Sequence, residues 1–136
     1  MAGKLNIIGK IRSLLTAKPQ APSVSKKESA VATAVKQWEQ SREYLLFDAH
    51  PSHIAKKMGI TPSQLHQYCL KELGMDFRTW RTSLRIEEAK KMLLADPKAH
   101  VSLIARRVGI NDRSNFSRLF KDHTGYLPSE WRRLNQ

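Results

Sequence analysis

The sequence predicts an all-α fold in which two helix-turn-helix subdomains are joined by one long bridging helix. Apolar residues recur at the three- and four-residue spacing of helices, and no stretch alternates between apolar and polar as a β-strand does. A short pattern occurs twice, at residues 52–60 and 102–110. Between the two copies, residues 77–94 carry apolar side chains on more than one face, as a helix packed on two sides does.

The charge of the chain indicates a polyanionic partner. Its 136 residues include 24 lysines and arginines against 12 aspartates and glutamates, a net charge of +12 that is spread along the whole chain. Nucleic acid and an anionic membrane surface are the partners that such an excess favours. The single cysteine, Cys69, excludes an internal disulfide framework and suits a reducing cytoplasm. No apolar run is long enough to span a bilayer.

The first 29 residues predict two segments outside the main domain. Residues 1–15 form a short basic amphipathic helix, and residues 16–29, which contain two prolines and little that is large and apolar, form a flexible linker. The helix would dock on a partner, on a membrane surface or on its own copy; alternatively, it is the frayed end of a larger parent protein. The apolar residues of this helix are Leu5, Ile7, Ile8, Ile11, Leu14 and Leu15.

Residues 30–136 are predicted to form the main domain, which begins with a helix at Ala30. Val31, Val35, Trp38 and Leu45 can form one apolar stripe on it. The His50-Pro51 pair is expected to end this helix, because a residue before proline is disfavoured in the helical region. Ser52 is then the expected N-cap of the next helix.

The two copies of the repeat have the features of helix-turn-helix units, over about residues 52–73 and 102–123. SHIAKKMGI in the first matches SLIARRVGI in the second, and Gly59 and Gly109 stand where a turn needs positive φ. The second helix of the first unit should begin after a Thr61 cap. In the second unit, which has one extra residue at this point, either Asn111 or Asp112 is the cap.

The second helix of each unit has an outward polar face that suits the major groove of DNA. Leu65, Tyr68 and Cys69 should face inward in the first unit, and Phe116, Leu119 and Phe120 in the second. Arginine can pair with guanine, and glutamine or asparagine with adenine. The candidate base-contacting residues are Ser63, Gln64, His66 and Gln67 in the first unit and Arg113, Ser114, Asn115, Ser117 and Arg118 in the second.

The bridging helix, residues 77–94, should end at Asp96-Pro97 and fix the distance between the two recognition helices. Two such helices on one face of DNA lie about 34 Å apart, so that one chain could read two successive major grooves without dimerising. The candidate phosphate contacts are Thr61, Arg78, Arg85, Arg106 and Lys121. For Arg85, which lies mid-helix near acidic residues, a structural ion pair is the alternative.

Residues 35–133 resemble the DNA-binding domain of the AraC/XylS family of bacterial transcription regulators. The closest stretch is IARRVGINDRSNFSRLFKDHTGYLPSEWR, and LRIEEAKKML resembles the family's bridging helix. The Trp38 helix and the FRTWR segment are similar to a Bacteroidetes-type version. The family usually has phenylalanine and a small polar residue where this chain has Ile110 and Asn111, a departure that should affect turn packing more than base contacts.

The resemblance implies a cytoplasmic, nucleoid-associated regulator that binds an asymmetric promoter site in double-stranded DNA and contacts RNA polymerase. It implies base contacts from Ser63, His66 and Gln67 and from Arg113, Ser114, Ser117 and Arg118. No cofactor, metal or enzymatic activity is expected, and dimerisation would use only residues outside the core domain. The alternatives are a nonspecific or architectural DNA-binding protein, and a docking module that acts through residues 4–15.

Overall fold

The computed structural model describes residues 25–46 and 49–136, and all regular structure within these ranges is helical. The predicted helix over residues 1–15 and most of the predicted linker lie outside the described residues. The elements are α1 (Lys26–Ser41), a 3₁₀ turn (Glu43–Leu45), α2 (Pro51–Met58), α3 (Pro62–Tyr68), a π turn (Cys69–Leu73), α4 (Phe77–Ala95), α5 (Val101–Arg107), α6 (Arg113–Thr124) and α7 (Pro128–Asn135).

By its internal contacts the chain divides into two segments, residues 1–30 and residues 31–136. In the first, Ser25 and Glu28 form a capping box: the Glu28 amide donates to Ser25 Oγ (3.1 Å) and the Ser25 amide to Glu28 Oε1 (3.3 Å). This cap begins α1 at Lys26, so residues 26–29, which we expected in a linker, are helical.

Helix α1 ends earlier than the sequence predicts. Val31, Val35 and Trp38 are buried as expected, but the helix stops at Ser41, where Arg42 adopts a left-handed conformation (φ 63°). The prediction that His50-Pro51 ends this helix was therefore wrong. Leu45 lies in the 3₁₀ turn rather than on the α1 stripe.

The two helix-turn-helix units are α2–α3 and α5–α6. Gly59 (φ 79°) and Gly109 (φ 86°) occupy the turns in the left-handed region, as predicted. Helix α2 begins at Pro51, and His50 is its cap: the Nδ1 of His50 accepts from the Ser52 amide at 3.2 Å. The predicted Ser52 cap was thus wrong, because proline is favoured at the first helical position and leaves the preceding residue to cap.

Helix α4 bridges two cores that lie along its length. Its first half contributes Phe77 and Trp80 to the first core, which also contains Trp38, Tyr44, Ile54 and Leu65. Its second half contributes Ile86, Ala89 and Leu93 to the second core, which also contains Ile104, Phe116 and Phe120. Asp76 caps this helix by accepting from the Thr79 amide at 2.8 Å. The predicted bridging helix is therefore correct to within one residue at its C-terminal end.

An arginine in the helix that follows each unit extends the repeat beyond residues 52–60 and 102–110. Arg81 Nη1 donates to the Ala49 carbonyl, and Arg132 Nη2 donates to the Ala99 carbonyl, both at 2.9 Å. Each arginine follows a tryptophan, and each alanine stands just before the first helix of its unit. Each arginine thus ties the helix that follows a unit to the residue that precedes that unit.

Candidate nucleic-acid interface

Helix α3 presents three predicted base-contacting residues to solvent. Ser63, His66 and Gln67 are exposed, whereas Leu65 and Cys69 on the opposite face are buried and Tyr68 is partly buried, as predicted. Burial raises the pKa of the Cys69 thiol to about 11, which makes it a packed side chain rather than a nucleophile at neutral pH.

Gln64, the fourth candidate on α3, belongs to the helix cap. Its Oε1 accepts from the Thr61 amide at 2.9 Å, and Thr61 Oγ1 accepts from the Gln64 amide at 3.1 Å, which together form a capping box. Bidentate pairing with adenine needs both the oxygen and the nitrogen of the amide, and this oxygen is already bound. Pairing of Gln64 with a base would therefore compete with the cap, and its base contact stays a prediction. Thr61 itself is exposed and keeps its hydroxyl proton free to donate.

Helix α6 begins at a strong cap that exposes its first turn. Asp112 Oδ1 accepts from the Ser114 amide (2.8 Å) and the Asn115 amide (3.1 Å), so Asp112 is the cap of the two residues that the sequence allowed. Arg113, Ser114 and Asn115 are exposed. Among the described residues, none forms an ion pair with the Arg113 guanidinium.

Arg118 is held over the outer face of α6 by its neighbours on the same helix. Its Nη2 donates to Asn115 Oδ1 at 2.6 Å, and its Nη1 lies 3.6 Å from Asp122 Oδ2. Both members of this ion pair are well exposed, at 64% and 62% of their side-chain surface. The contacts orient the guanidinium without burying it, which leaves its donors within reach of an incoming acceptor. Ser117, one residue earlier, is partly buried.

Four of the five predicted phosphate contacts are exposed. Thr61 begins α3, Arg78 lies in the first turn of α4, Arg106 in the last turn of α5, and Lys121 in the last turn of α6. Two more exposed cations in the last turn of α2, Lys56 and Lys57, were not singled out, although the repeat aligns them with Arg106 and Arg107. Lys57 forms an ion pair with Glu43 (2.6 Å).

Arg85 is not available to phosphate, which corrects the fifth prediction. Only 4% of its surface is exposed, and its guanidinium donates to the backbone carbonyls of Tyr44 and Leu46. The structural ion pair considered as the alternative stays a prediction, and the acceptors at Tyr44 and Leu46 are backbone carbonyl groups. In the sequence, an arginine in the middle of a helix looks the same whether it is exposed to phosphate or buried against backbone carbonyl groups. Only the packing of residues 44–46 against α4 distinguishes the two cases.

Two other kinds of site are absent from residues 25–46 and 49–136. No group of three or more histidine, cysteine or acidic side chains is placed to hold a metal ion there. Nor is any helix in these ranges long and apolar enough to cross a bilayer.

Comparison with known proteins assigns the family. A sequence model described as a helix-turn-helix domain matches residues 54–134, more than half of the chain. The arabinose operon regulatory protein of Salmonella typhimurium is 36% identical over 89 residues, which are 64% of this chain and 31% of that protein. The Escherichia coli arabinose operon regulatory protein is 37% identical over 79 residues, 58% of this chain and 27% of that one.

Two solved structures share the fold of this chain. The C-terminal domain of AraT, a response regulator from Geobacillus stearothermophilus, superposes with a TM-score of 0.71 at 28% identity, over 82% of this chain and 90% of that one. A protein of unknown function from Listeria innocua superposes with a TM-score of 0.67 at 27% identity, over 77% of this chain and 97% of that one.

The fold and the exposed polar faces of α3 and α6 are those of a helix-turn-helix DNA-binding domain of a transcription regulator. The chain belongs to the AraC/XylS family. It spans less than a third of the length of the two arabinose regulators that it matches.

Proposed function

We propose that the chain binds one specific, asymmetric promoter sequence, with α3 in one major groove and α6 in the next. The observation that carries this proposal is that two helix-turn-helix units share α4 and that each exposes the polar face of its second helix. Both helix-turn-helix units lie within residues 31–136. A single chain therefore presents the polar faces of α3 and α6 without a partner chain. Major-groove readout needs such a helix at each half-site.

The two recognition helices contribute different chemistry to this proposed complex. In α6, Arg113 and Arg118 supply donors for guanine, and Asn115 is suited to adenine once its Oδ1 is released from Arg118. In α3, His66 and Gln67 supply polar groups, and α3 itself carries no lysine or arginine. Ser63, Ser114 and Ser117 complete the set of proposed base contacts.

Phosphate contacts from exposed cations would fix the register of both helices on the duplex. Arg78, Arg106 and Lys121, with the hydroxyl of Thr61, are the proposed contacts, and all four are exposed. The same backbone interaction makes the affinity dependent on salt. We further propose that the domain acts on promoters in the cytoplasm, at the nucleoid, and that the bound domain contacts RNA polymerase.

Selection of bound sequences from a random duplex library at physiological salt tests this function. We expect a two-part motif whose halves lie about 10 base pairs apart, since both helices lie on one face of the duplex. A single short motif would mean that α3 does not read bases. If no sequence is enriched, the domain binds DNA without sequence preference, and the architectural alternative replaces the proposal.

A further inference from the structure

The turn of the second helix-turn-helix unit packs directly against the backbone of residues 45–46, which precede the first unit. A Cβ atom added to Gly109 would lie 2.8 Å from the carbonyl oxygens of both Leu45 and Leu46, and 3.1 Å from Cζ of Arg85. No side chain fits at such distances from backbone oxygens. Gly109 is therefore required by this close approach as well as by its positive φ.

The equivalent glycine of the first unit has no such neighbour. Gly59 has nearly the same backbone conformation (φ 79° against 86°), but a Cβ added there would meet nothing within 4 Å. The two turns are thus alike in conformation and differ only in what surrounds them. The sequence repeat, which places a glycine in both, does not distinguish them.

The backbone beside Gly109 is tied to α4 by a buried arginine and an ion pair. Arg85 Nη2 donates to the Leu46 carbonyl at 2.8 Å, and Arg85 Nε donates to the Tyr44 carbonyl. Three residues along α4, Glu88 accepts two hydrogen bonds from the Arg42 guanidinium, at 2.8 and 3.1 Å. Residues 42–46 are therefore fixed on α4 at two points.

These residues also belong to both cores. Tyr44 is buried in the first core, with its ring 6.1 Å from that of Trp38 in an edge-on arrangement. Leu45 packs against both cores. Any rotation of one unit against the other about α4 would pull the Gly109 turn from the 45–46 carbonyls or drive it into them.

We propose that Gly109, Arg85 and the carbonyl groups of residues 44–46 form an inter-unit joint that holds α3 and α6 at one relative orientation. On the proposed function, this joint sets the spacing between the two half-sites that the chain accepts. Adding one base pair between half-sites displaces the second by about 3.4 Å and rotates it by about 35° around the duplex. Positioning residues that touch no base would then decide which promoters are bound.

The first test measures the joint without DNA. Spin labels on Gln67→Cys and Lys121→Cys report the distance between α3 and α6, and Cys69 is fully buried and should not be labelled. We expect a narrow distance distribution in the parent and a clearly broader one in Gly109→Ala. Gly59→Ala is the matched control, because it introduces the same backbone strain in open space, and its distribution should stay narrow.

Arg85→Lys is a second variant, which tests the joint if Gly109→Ala does not fold. Lysine keeps the charge and loses the planar guanidinium that reaches two carbonyl groups. Its distance distribution should also broaden, while its helix content by circular dichroism stays that of the parent. An unchanged narrow distribution in folded Arg85→Lys would overturn the joint.

The second test measures affinity for duplexes whose two half-sites are separated by graded spacers. The parent should prefer its best spacing over spacings one base pair longer or shorter by about tenfold, roughly the value of one good base contact. In Gly109→Ala and Arg85→Lys this preference should fall to about threefold or less, and in Gly59→Ala it should persist. A preference as sharp as the parent's in these variants would refute the role in spacing.

The two tests separate this inference from the proposed function. Suppose that the parent selects no two-part motif while its distance distribution is narrow and those of the variants are broader. In that case the joint stands and two-groove binding fails. If the parent has a two-part motif and the variants keep both the narrow distances and the spacing preference, the function stands and the joint fails.

Discussion

Helix α3 of the first unit has seven residues and no lysine or arginine, whereas α6 of the second has twelve and carries Arg113, Arg118 and Lys121. The first is followed by a π turn, Cys69–Leu73, which ends its regular α-helical geometry early. The second continues as an α-helix to Thr124. The repeated sequence therefore supplies the same framework twice, and the residues after each turn make the two units unequal in charge and in length.

The surroundings of the two units differ as well. The first core is closed by α1, through Val31, Val35 and Trp38, and four aromatic rings meet in it. The second is closed by α7, whose Trp131 packs edge-on against Phe120 with the ring centroids 5.8 Å apart. Because α4 alone covers only part of each core, we infer that each unit needs a second helix to close its core. This helix is α1 for the first unit and α7 for the second.

The largest effect should come from the equivalent core positions Leu65 and Phe116, the fourth residues of α3 and α6. Both are almost fully buried, at 2% and 0% exposure. Phe116→Ala should lower the free energy of unfolding by about 3–5 kcal/mol and Leu65→Ala by about 2–5 kcal/mol. Urea denaturation followed by tryptophan fluorescence measures both. Because α4 belongs to both cores, each variant should shift one common transition; separate transitions for the two units would contradict this cooperativity.

The repeated arginines should give the next largest effect. Arg132 donates to the carbonyls of Leu93, Asp96 and Ala99, and so satisfies the C-terminal end of α4. Arg132→Ala and Arg81→Ala should each cost about 1–3 kcal/mol, because carbonyl groups lose their donors.

Arg133→Ala is the matched control for this pair. Arg133 is exposed and adjacent to Arg132 in α7, and among the described residues it has no hydrogen bond or ion pair that would be lost. Its unfolding midpoint should match that of the parent. If Arg132→Ala is as stable as Arg133→Ala, the arginine-carbonyl contacts are not what closes each unit.

The sequence predicted the framework because each framework position has a strong local signal. Glycine at Gly59 and Gly109, the Thr61-Pro62 start of α3 and the broad apolar surface of residues 77–94 each have a direct physical meaning. The structure agrees with all of them. The end of α1 was missed because Arg42, a residue that seldom has positive φ, ends the helix before any proline.

The joint and the arginine contacts could not be predicted, because they depend on carbonyl groups that no side-chain pattern reveals. Arg85 and Arg78 both lie in α4 in a basic chain, yet one is buried against Tyr44 and Leu46 and the other is exposed. The role of Gln64 in the helix cap was missed for a related reason. The same amide suits a base edge or a capping box, and the box was recognisable from the Thr61-x-x-Gln64 spacing.

The unequal charge of the two recognition helices predicts unequal effects on DNA binding. Arg118→Ala should weaken binding at one base position by about 1–3 kcal/mol, and Lys121→Ala should weaken it on all sequences and reduce the salt slope by about one. Gln67→Ala should leave the salt slope unchanged, because it removes no charge. Binding to single-base variants of the selected site, at several salt concentrations, distinguishes these effects. Equal losses on every sequence for Arg118→Ala would make Arg118 a phosphate contact.

The smallest effect concerns the pH dependence of the contact between Arg42 and Glu88. The hydrogen bonds from Arg42 hold the pKa of the Glu88 carboxyl below its ordinary value of 4.5, against the opposing effect of its burial. A carboxyl whose pKa is lower in the folded state stabilises that state above its unfolded pKa, and the contribution is lost as the pH falls through the folded pKa. The contact should therefore stabilise the protein at neutral pH and cease to do so in acid.

Thermal unfolding of the parent and of Glu88→Gln between about pH 7 and pH 3 measures this contribution. Glu88→Gln should have the lower midpoint at neutral pH, and the difference should shrink as the pH falls below about 4.5 towards the lower pKa of the folded carboxyl. Glu87→Gln, which removes an exposed ion pair with Lys90 on the same turn, is the control and should lower the midpoint less at neutral pH. A difference that stays constant down to the lowest pH would mean that Glu88 acts through packing, and the ion pair would then not be what fixes residues 42–46 on α4.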